Sequence, residues 1–348
     1  MGYKVGVLGA TGMVGQRFLS LLSGHPWFET VFAAASEKSI GKTLGEKPWL
    51  IPGELPSEFK DMEIQPCKPR YAEECDIIFS ALPSTVAKTV ELSFARNGFF
   101  VASNASAYRR ERDVALLVPE INPDHLDLIH IQRELRKWDG AIITNPNCTT
   151  TGLAITLKPL YDSFSLRKIE VTSMQALSGA GYNGVKSLAI IDNLIPFIDG
   201  EEEKVQWESK KILGRYCSGH IEEADIAINA TCTRVNVRDG HILSVHTDLN
   251  EDISEIISVF EQFKGLPQQL ALPSAPDKPI ILLKENDRPQ PLFDRDRENG
   301  FSVSVGRIRK SASGNIKYIL LVHNTVRGAA GGAILNAELS CKKGFIGK

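Results

Sequence analysis

The sequence predicts an α/β protein with an N-terminal Rossmann-like domain, built on a doubly wound parallel sheet, and a second α+β domain built on a mixed sheet. The length of 348 residues favours two domains, because a single hydrophobic core stops growing at roughly 250 to 300 residues. A short apolar run near the N-terminus leads into a glycine-rich turn and an amphipathic helix, which is typical of a dinucleotide-binding domain. Several segments of the second half alternate between apolar and polar residues, as strands with one solvated face do.

The dinucleotide-binding pattern starts with residues 5–8, which predict the first strand, and residues 14–22 predict the helix that follows. Between them lies Gly9-Ala10-Thr11-Gly12-Met13-Val14-Gly15. Thr11 stands where the usual middle glycine would be, and Gly12 follows it. Glycines in this turn let the backbone approach a pyrophosphate that binds over the helix N-terminus.

The end of the second predicted strand, residues 30–34, indicates which dinucleotide binds. An NAD enzyme usually presents an acidic residue to the ribose 2′-hydroxyl at this place. Ser36, Lys38 and Ser39 instead suit a 2′-phosphate, which favours NADP. Glu37 lies among them, and if its carboxylate points inward the preference moves to NAD.

Two further predicted strands, residues 77–80 and 99–103, also end in small or polar residues. Parallel strands present their carboxyl ends to a ligand at one edge of the sheet. We therefore expect Ser103 and Asn104 to line the cofactor cleft.

Cys148 is the first candidate for covalent chemistry. It lies where the polar segment 145–147 passes into a predicted helix, residues 149–160. A helix N-terminus offers free N–H groups and about half a positive charge, so we expect the pKa of this thiol to fall from about 8.5 towards neutrality or below. The alternative is a structural cysteine, because most free cysteines are small buried hydrophobes.

Three strands are predicted early in the second domain, at residues 168–174, 230–237 and 241–248. The last two are expected to form an antiparallel hairpin across a tight turn. His241 begins the last strand, with Arg234 on the strand paired with it. A histidine with a pKa near 6.5 takes a thiol proton and later returns it, a role worth about 10²- to 10⁴-fold in rate.

Helical periodicity is clear in residues 253–263 and weaker in residues 200–213. The weaker helix carries charges at Glu201, Lys204, Glu208 and Lys211. Such charges usually belong to a solvated helix face.

The C-terminal part predicts a hairpin of residues 303–310 and 316–322. After Asn324, a segment rich in small residues opens a helix that we expect to return to the first domain. Segments 265–276 and 287–296 are expected to be surface connections, because they are rich in proline and charge.

Composition argues against several classes of function. A net charge of −2 without a long basic run does not predict a nucleic-acid-binding surface. We expect neither a membrane span nor a signal peptide, because no apolar run reaches 18 residues and the chain passes from Met1 directly into a strand. Six scattered cysteines without a CxxC pair favour reduced thiols, a cytoplasmic protein and no metal site.

Seven motifs follow one another along the chain. They are Gly9–Gly15, Ser103–Arg109, Asn145–Thr150, Gln175–Gly181, Glu201–Lys204, Arg234 with His241, and His323–Gly328. Because these motifs occur in this order, the chain resembles aspartate-semialdehyde dehydrogenases, particularly the archaeal and fungal branch, over essentially its whole length.

The resemblance implies a role for each residue of a catalytic site. Cys148 is similar to the nucleophile of this family, His241 to its acid/base catalyst and Gln175 to the residue that orients the acyl intermediate. Arg234 is similar to the arginine that grips the substrate α-carboxylate. Glu201 is similar to the partner of the substrate ammonium.

The resemblance also implies phosphate-binding and cofactor-binding residues. The phosphate site is expected at Arg109, Asn147 and Lys204, although a surface cluster with Arg110 and Arg112 is the alternative for Arg109. The residues assigned to NADP are Gly9, Thr11, Gly12, Met13, Val14, Ser36, Lys38, Ser39, Ser84, Ser103, Asn104, Ser178, Gly179 and Asn324.

The implied reaction is the NADPH-dependent reduction of L-4-aspartyl phosphate through a cysteine thioester. It releases phosphate and L-aspartate 4-semialdehyde on the route to threonine, methionine, isoleucine and lysine. The main alternative is a paralogous malonyl-CoA or succinyl-CoA reductase, whose substrate has neither the ammonium nor the small phosphate. A non-catalytic nucleotide or redox sensor is a weaker alternative, because it leaves the candidate catalytic residues unexplained.

The resemblance implies a division of the chain as well. Residues 1–147 with 324–348 are expected to form the NADP-binding domain, and residues 148–323 the catalytic and dimerisation domain. A homodimer or homotetramer is expected.

Overall fold

A sheet of six parallel strands forms the first half of the protein, whose computed structural model describes residues 2–347. Its strands run in the order β3-β2-β1-β4-β5-β6, the order of a doubly wound dinucleotide-binding sheet. The strands are β1 (Tyr3–Leu8), β2 (Phe28–Ala35), β3 (Ile64–Pro66), β4 (Ile77–Ser80), β5 (Phe100–Ser103) and β6 (Ala141–Thr144). The predicted Rossmann-like sheet is confirmed.

A second sheet, also of six strands, has the order β10-β7-β11-β14-β13-β12, and β8 pairs only with β9. The strands are β7 (Lys168–Gln175), β8 (Arg215–Cys217), β9 (His220–Glu222), β10 (Ala227–Arg234), β11 (His241–Thr247), β12 (Ile280–Leu283), β13 (Val303–Lys310) and β14 (Ile316–Val322). Its outer pairs β10/β7 and β12/β13 are parallel and its inner pairs are antiparallel. The mixed sheet and the β13/β14 hairpin are therefore confirmed.

The predicted hairpin of residues 230–237 and 241–248 is wrong. β10 pairs in parallel with β7 along all of its length, and β11 pairs with the opposite edge of β7. The chain between β10 and β11 passes over the end of β7, where the Val235 N–H donates to the Gln175 carbonyl at 3.0 Å. Strand β7, which comes earlier in the chain, therefore lies between β10 and β11, although those two strands follow one another in sequence.

Helices cover both faces of the first sheet and one face of the second. They are α1 (Met13–Leu22), α2 (Ser84–Arg96), α3 (Leu128–Arg136), α4 (Cys148–Ser163), α5 (Ser187–Ile190), α6 (Glu201–Leu213), α7 (Ile253–Gln262), α8 (Leu266–Gln269), α9 (Pro291–Asp294) and α10 (Gly331–Lys342). A π-helical turn, Val326–Ala330, leads into α10. Within the described residues, no helix has both the length and the apolar character needed to cross a membrane.

The hydrophobic core has a part for each sheet. Phe18 of α1 and Leu335 of α10 pack on one face of the first sheet, and Phe94 of α2 packs on the other. On the second sheet, the apolar residues of α4, α6 and α7 join a single cluster with Val171 and Tyr318. Helix α10 thus packs in the core of the first sheet although it follows the last strand of the second.

The predicted surface connection 287–296 contains a buried carboxylate. Asp294 is almost fully buried and accepts hydrogen bonds from Arg288, Arg297 and the Gln290 N–H. Proline and charge indicated a loop here, but they do not show that its charges bind one another.

Candidate active site

Three of the predicted site residues lie at one end of the second sheet. Gln175 ends β7 and lies beside Arg234, the last residue of the parallel strand β10. His241 begins β11, which runs antiparallel to β7 and therefore starts at the same end. All three side chains are buried, so the sheet register fixes where they lie.

Cys148 reaches this end as the first residue of α4, the helix that follows the last strand of the first sheet and packs on the second. Asn147 caps the helix, because its Oδ1 accepts the N–H groups of Thr149 and Thr150 at 2.9 and 3.1 Å. The backbone at Gly328 passes so near that a Cβ atom there would lie 2.5 Å from Cys148 Cβ. A residue larger than glycine at position 328 would displace the thiol.

Cys148 and His241 are in direct contact, with 3.1 Å between Sγ and Nε2. The other ring nitrogen, Nδ1, accepts the Ala176 N–H at 3.0 Å. A neutral imidazole has one proton, which must then be on Nε2 and point at the sulfur. Burial, Arg234 and His323 lower the pKa of His241 to about 3, so the ring is neutral.

The pKa of Cys148 is not lowered as the sequence predicted. Burial and then the Glu201 carboxylate raise the pKa of the thiol to about 12, while Arg109, the Thr149 N–H and Arg234 act in the opposite direction. The helix N-terminus is present, but the loss of hydration around the sulfur outweighs it. The thiol is therefore protonated in the free protein at neutral pH.

Cys148 opens into a cavity of about 440 Å³ that holds most of the predicted site. The predicted residues among its lining are Val14, Ser84, Asn104, Arg109, Asn147, Cys148, Gln175, Ser178, Gly179, Glu201, Lys204, Arg234 and Asn324. His241 lies behind this surface, in contact with the thiol. The cavity thus combines a nucleophile with cationic side chains and two carboxylates, those of Asp199 and Glu201.

Two residues of α6 face this cavity, Glu201 and Lys204. Glu201 Oε1 accepts from Asn147 Nδ2 at 2.7 Å, and Lys204 Nζ lies 3.5 Å from Glu201 Oε2. Further along the same helix, Glu208 and Lys211 are buried too. The expectation of a solvated charged face on this helix is therefore wrong.

Arg109 is not part of a surface arginine cluster. Its side chain is buried, and its Nη1 donates to Glu208 Oε1 at 2.9 Å. Arg110, in contrast, is exposed and stacks on Trp207. Sequence reasoning missed Glu208, although its position seven residues after Glu201 puts it on the same helix face.

A second cavity of about 570 Å³ lies over the glycine turn. The predicted residues on its wall are Gly9, Thr11, Gly12 and Ser36, and Glu37 and Lys68 are there as well. Sequence reasoning missed Lys68, because it lies on a later segment. Lys38 and Ser39 are not on the wall, and Ser39 is buried in a 3₁₀ turn.

The two cavities fit a dinucleotide. Gly9 has φ +77°, and a Cβ atom there would lie 2.8 Å from the Ala81 carbonyl oxygen, so this turn accepts only glycine. Both polar atoms of the Asn104 side chain are buried without a hydrogen-bond partner, and Asn104 lines the first cavity. Such atoms are expected to bind a ligand.

Three of the predicted cofactor residues have other contacts or positions. Met13 is the first residue of α1 and lines neither cavity. The Ser103 hydroxyl donates to the buried Glu91 carboxylate at 2.7 Å. Asn324 donates to Ser178 Oγ and accepts the Gly240 N–H, each at 2.8 Å, and so ties the segment after β14 to the residue before His241.

Comparison with known proteins places this site in a family. Residues 4–129 match the semialdehyde dehydrogenase NAD-binding domain, and residues 157–327 match the semialdehyde dehydrogenase dimerisation domain. The aspartate-semialdehyde dehydrogenase of Archaeoglobus fulgidus is 54% identical over 99% of this chain and 100% of its own.

Two further relatives bear on cofactor and substrate. The crystal structure of the Candida albicans aspartate-semialdehyde dehydrogenase with NADP superposes with a TM-score of 0.91 at 39% identity, covering 99% of this chain and 100% of that one. The malonyl CoA reductase (NADP) of Metallosphaera sedula is 41% identical over 99% of this chain and 98% of its own.

Proposed function

The chain belongs to the aspartate-semialdehyde dehydrogenase family, and from this we propose that it reduces L-4-aspartyl phosphate with NADPH to L-aspartate 4-semialdehyde and phosphate. The observation that carries the proposal is the contact of 3.1 Å between Cys148 Sγ and His241 Nε2 beside a cavity with both anionic and cationic groups. An amino-acid acyl phosphate needs both kinds of group. The reaction belongs to the route to threonine, methionine, isoleucine and lysine.

The charges of the cavity suit the two ends of this substrate. Arg234 pairs with the α-carboxylate, because a guanidinium forks onto two oxygens. Glu201 pairs with the α-ammonium. Arg109, Asn147 and Lys204 hold the phosphate.

The covalent steps take place at Cys148. Its sulfur attacks the acyl carbon, the bond from that carbon to the phosphate oxygen breaks, and the thiol proton leaves with the phosphate. The product is a thioester on Cys148, which Gln175 orients. The His241 Nε2–H donates to the sulfur whenever it has negative charge, and so it stabilises the thiolate that is released when the aldehyde forms.

We assign NADP to the glycine turn and the two cavities. Bound there, its nicotinamide supplies the hydride that reduces the thioester carbon. Gly9, Thr11 and Gly12 shape the turn for the pyrophosphate, and Asn104 and Asn324 are at the nicotinamide end. Lys68 and Ser36 replace Lys38 and Ser39 as our proposed contacts for the 2′-phosphate, because only the former pair line the cavity.

We further propose the domain bounds 1–147 with 324–348 for cofactor binding and 148–323 for catalysis and dimerisation. The packing of α10 on the first sheet and the match of residues 157–327 to a dimerisation domain support this division. A homodimer is the proposed assembly. The six cysteines, all unpaired, support a cytoplasmic location.

A phosphate-dependent assay tests this function. Purified protein is mixed with L-aspartate semialdehyde and NADP, with and without phosphate, and NADPH formation is followed by absorbance. We expect turnover only with phosphate or arsenate, and faster turnover with NADP than with NAD. Faster reduction of malonyl-CoA by NADPH than oxidation of the semialdehyde would replace the proposal with the acyl-CoA reductase.

A further inference from the structure

We propose that Glu208 is a positioning residue that couples the phosphate-binding arginine to the loop of the nucleophile. The inference rests on the proposed function, because it assigns Glu208 to the phosphate end of that same site. Glu208 lines neither cavity described above. It acts through Arg109 and Asn147.

The two carboxylate oxygens of Glu208 have different partners. Oε1 accepts from Arg109 Nη1 at 2.9 Å, and Oε2 accepts the Asn147 backbone N–H at 2.6 Å. The Glu208 side chain has no exposed surface, and a buried carboxylate is stable only with such partners. One side chain therefore holds two segments that are far apart in sequence.

The contact sets the direction of the Arg109 guanidinium. Arg109 Nη2 donates to the Asn104 carbonyl at 2.8 Å, so two contacts fix the plane of the group. Its Nε–H has no partner, and the residue lines the cavity. A guanidinium has five N–H donors, so the remaining ones are available to an anion.

Lys211, one turn further along α6, supports the same segment. Its Nζ donates to the backbone carbonyls of Arg109, Glu111 and Val114 at 2.8, 2.9 and 3.0 Å. The three donors of an ammonium are thereby all used. Lys211 fixes the backbone of the arginine, and Glu208 fixes its side chain.

The second contact of Glu208 reaches the catalytic loop. Asn147 caps α4 with its Oδ1 and donates from Nδ2 to Glu201 at 2.7 Å. A shift of the Asn147 backbone would therefore move the start of α4 and with it Cys148. Phosphate binding and nucleophile position depend on the same buried carboxylate.

Glu208→Gln is the variant that tests this role. An amide has one acceptor oxygen and one NH₂ donor, so its NH₂ faces the N–H of either Arg109 or Asn147. We expect the KM for phosphate to rise about tenfold or more, with the KM for L-aspartate semialdehyde changed less than about twofold. Glu203→Gln is the matched control, because Glu203 is on the same helix with an exposed side chain.

Two measurements separate positioning from a merely structural role. The phosphate concentration that protects Cys148 against iodoacetamide measures the affinity for inorganic phosphate without turnover. In Glu208→Gln, this affinity should fall about as much as the KM for phosphate rises. In a double-mutant cycle with Arg109→Lys, the two effects on phosphate should not add, because Glu208 acts through Arg109. If Glu208→Gln does not fold, Glu208→Asp is used, which keeps the charge but shortens the side chain, and the same loss is expected.

The outcomes are distinguishable from failure of the proposed function. A wild type without phosphate-dependent turnover would overturn the function itself. An active wild type, together with a Glu208→Gln variant that keeps its phosphate affinity or weakens both substrates equally, would overturn the role of Glu208. Additive effects in the double-mutant cycle would overturn it as well.

Discussion

Glu201 has two opposing effects on the site. Its carboxylate raises the pKa of the Cys148 thiol, after burial the largest cause of that rise, yet in our proposal it binds the substrate ammonium. The same charge therefore disfavours the free thiolate and favours the bound substrate. Substrate binding masks the Glu201 charge with an ammonium, which removes part of the penalty on the thiolate.

The variant Glu201→Gln separates these effects. The amide oxygen can still accept from Asn147 Nδ2, so the loop keeps its hydrogen bond. We expect iodoacetamide to modify Cys148 about three- to tenfold faster at pH 8, because a lower pKa means more thiolate. The KM for L-aspartate semialdehyde should rise at the same time. Mass spectrometry of the modified peptide and steady-state kinetics measure the two changes.

Glu203→Gln serves as the control here too, and it should change neither quantity. Slower alkylation of Cys148 in Glu201→Gln would contradict the electrostatic effect. An unchanged KM for the semialdehyde would instead contradict the role of Glu201 in binding the ammonium.

The protonation of His241 gives a second prediction about a single residue. Because the Ala176 N–H donates to Nδ1, the ring should be neutral and protonated on Nε2. Its pKa, lowered to about 3, implies that no imidazolium forms between pH 5 and pH 9. ¹⁵N NMR of protein labelled at histidine distinguishes the two tautomers and the charged ring. A charged His241 at pH 7 would show that it forms an ion pair with the Cys148 thiolate.

The sequence alone identifies a site residue when the residues adjacent to it in the chain show its role. Cys148 was identified from the polar segment before a helix, and Asn147, which caps that helix, is the adjacent residue. Glu208 was missed because its partner Arg109 lies 99 residues away. A charged residue on a helix looks the same in sequence whether its face is solvated or buried.

At the scale of elements, the sequence predicted the strands better than their pairing. β10 and β11 were both predicted, but as a hairpin, and β7 in fact lies between them. Turn residues indicate that the chain reverses direction, whereas they do not show which strand is adjacent. Since β7 puts Gln175 between Arg234 and His241, the actual order also explains why these residues are neighbours in the site.

Helix α2 and strand β5 are connected by a buried carboxylate that gives a pH-dependent prediction. Burial raises the pKa of Glu91 to about 7, although the nearby Ser80 hydroxyl and the hydrogen bond from Ser103 act in the opposite direction. The folded state thus binds a proton that the unfolded state releases at lower pH. Stability should therefore fall as the pH rises from about 4.5 to about 7.

In the variant Glu91→Gln, this loss should be absent, because an amide does not ionise and its oxygen can still accept from Ser103. We expect the melting temperature of the variant, relative to wild type, to increase from pH 5 to about pH 7 and then to level off in thermal unfolding measurements. Glu134→Gln is the control, since Glu134 is exposed on α3. A difference in melting temperature that is constant with pH would show that Glu91 is ionised throughout.

At the scale of the whole molecule, the site lies where the two halves meet. Cys148 follows the last strand of the first sheet, and His241 belongs to the second sheet. The cavity between them also takes residues from the α6 start and from the turn before α10. Sequence motifs predict which residues contribute to the active site. Only the packing of the two sheets decides which of their side chains are within hydrogen-bonding distance of one another.

The segment of residues 182–197 has the composition of a subunit interface. Residues 182–197 expose five large apolar side chains, Tyr182, Leu188, Ile191, Leu194 and Phe197, and Leu188 is 89% exposed. Monomeric proteins seldom expose such groups together, and this segment lies within the match to a dimerisation domain. We therefore expect the segment to be covered by a second copy of the chain.

The same segment is connected to the active site. The backbones of Ile195 and Arg234 exchange two hydrogen bonds, and Ile198 lines the cavity of Cys148. Leu188→Asp should weaken the dimer about tenfold or more, because it buries a charge in an apolar contact, and loss of the dimer should lower phosphate-dependent turnover. Size-exclusion chromatography with light scattering over a range of concentrations measures the first effect.

Leu135→Asp is the matched control, since Leu135 is 68% exposed but lies on α3, outside residues 157–327. A wild type that is monomeric at every concentration, or a Leu188→Asp variant that dimerises as tightly as Leu135→Asp, would show that this segment is not the interface.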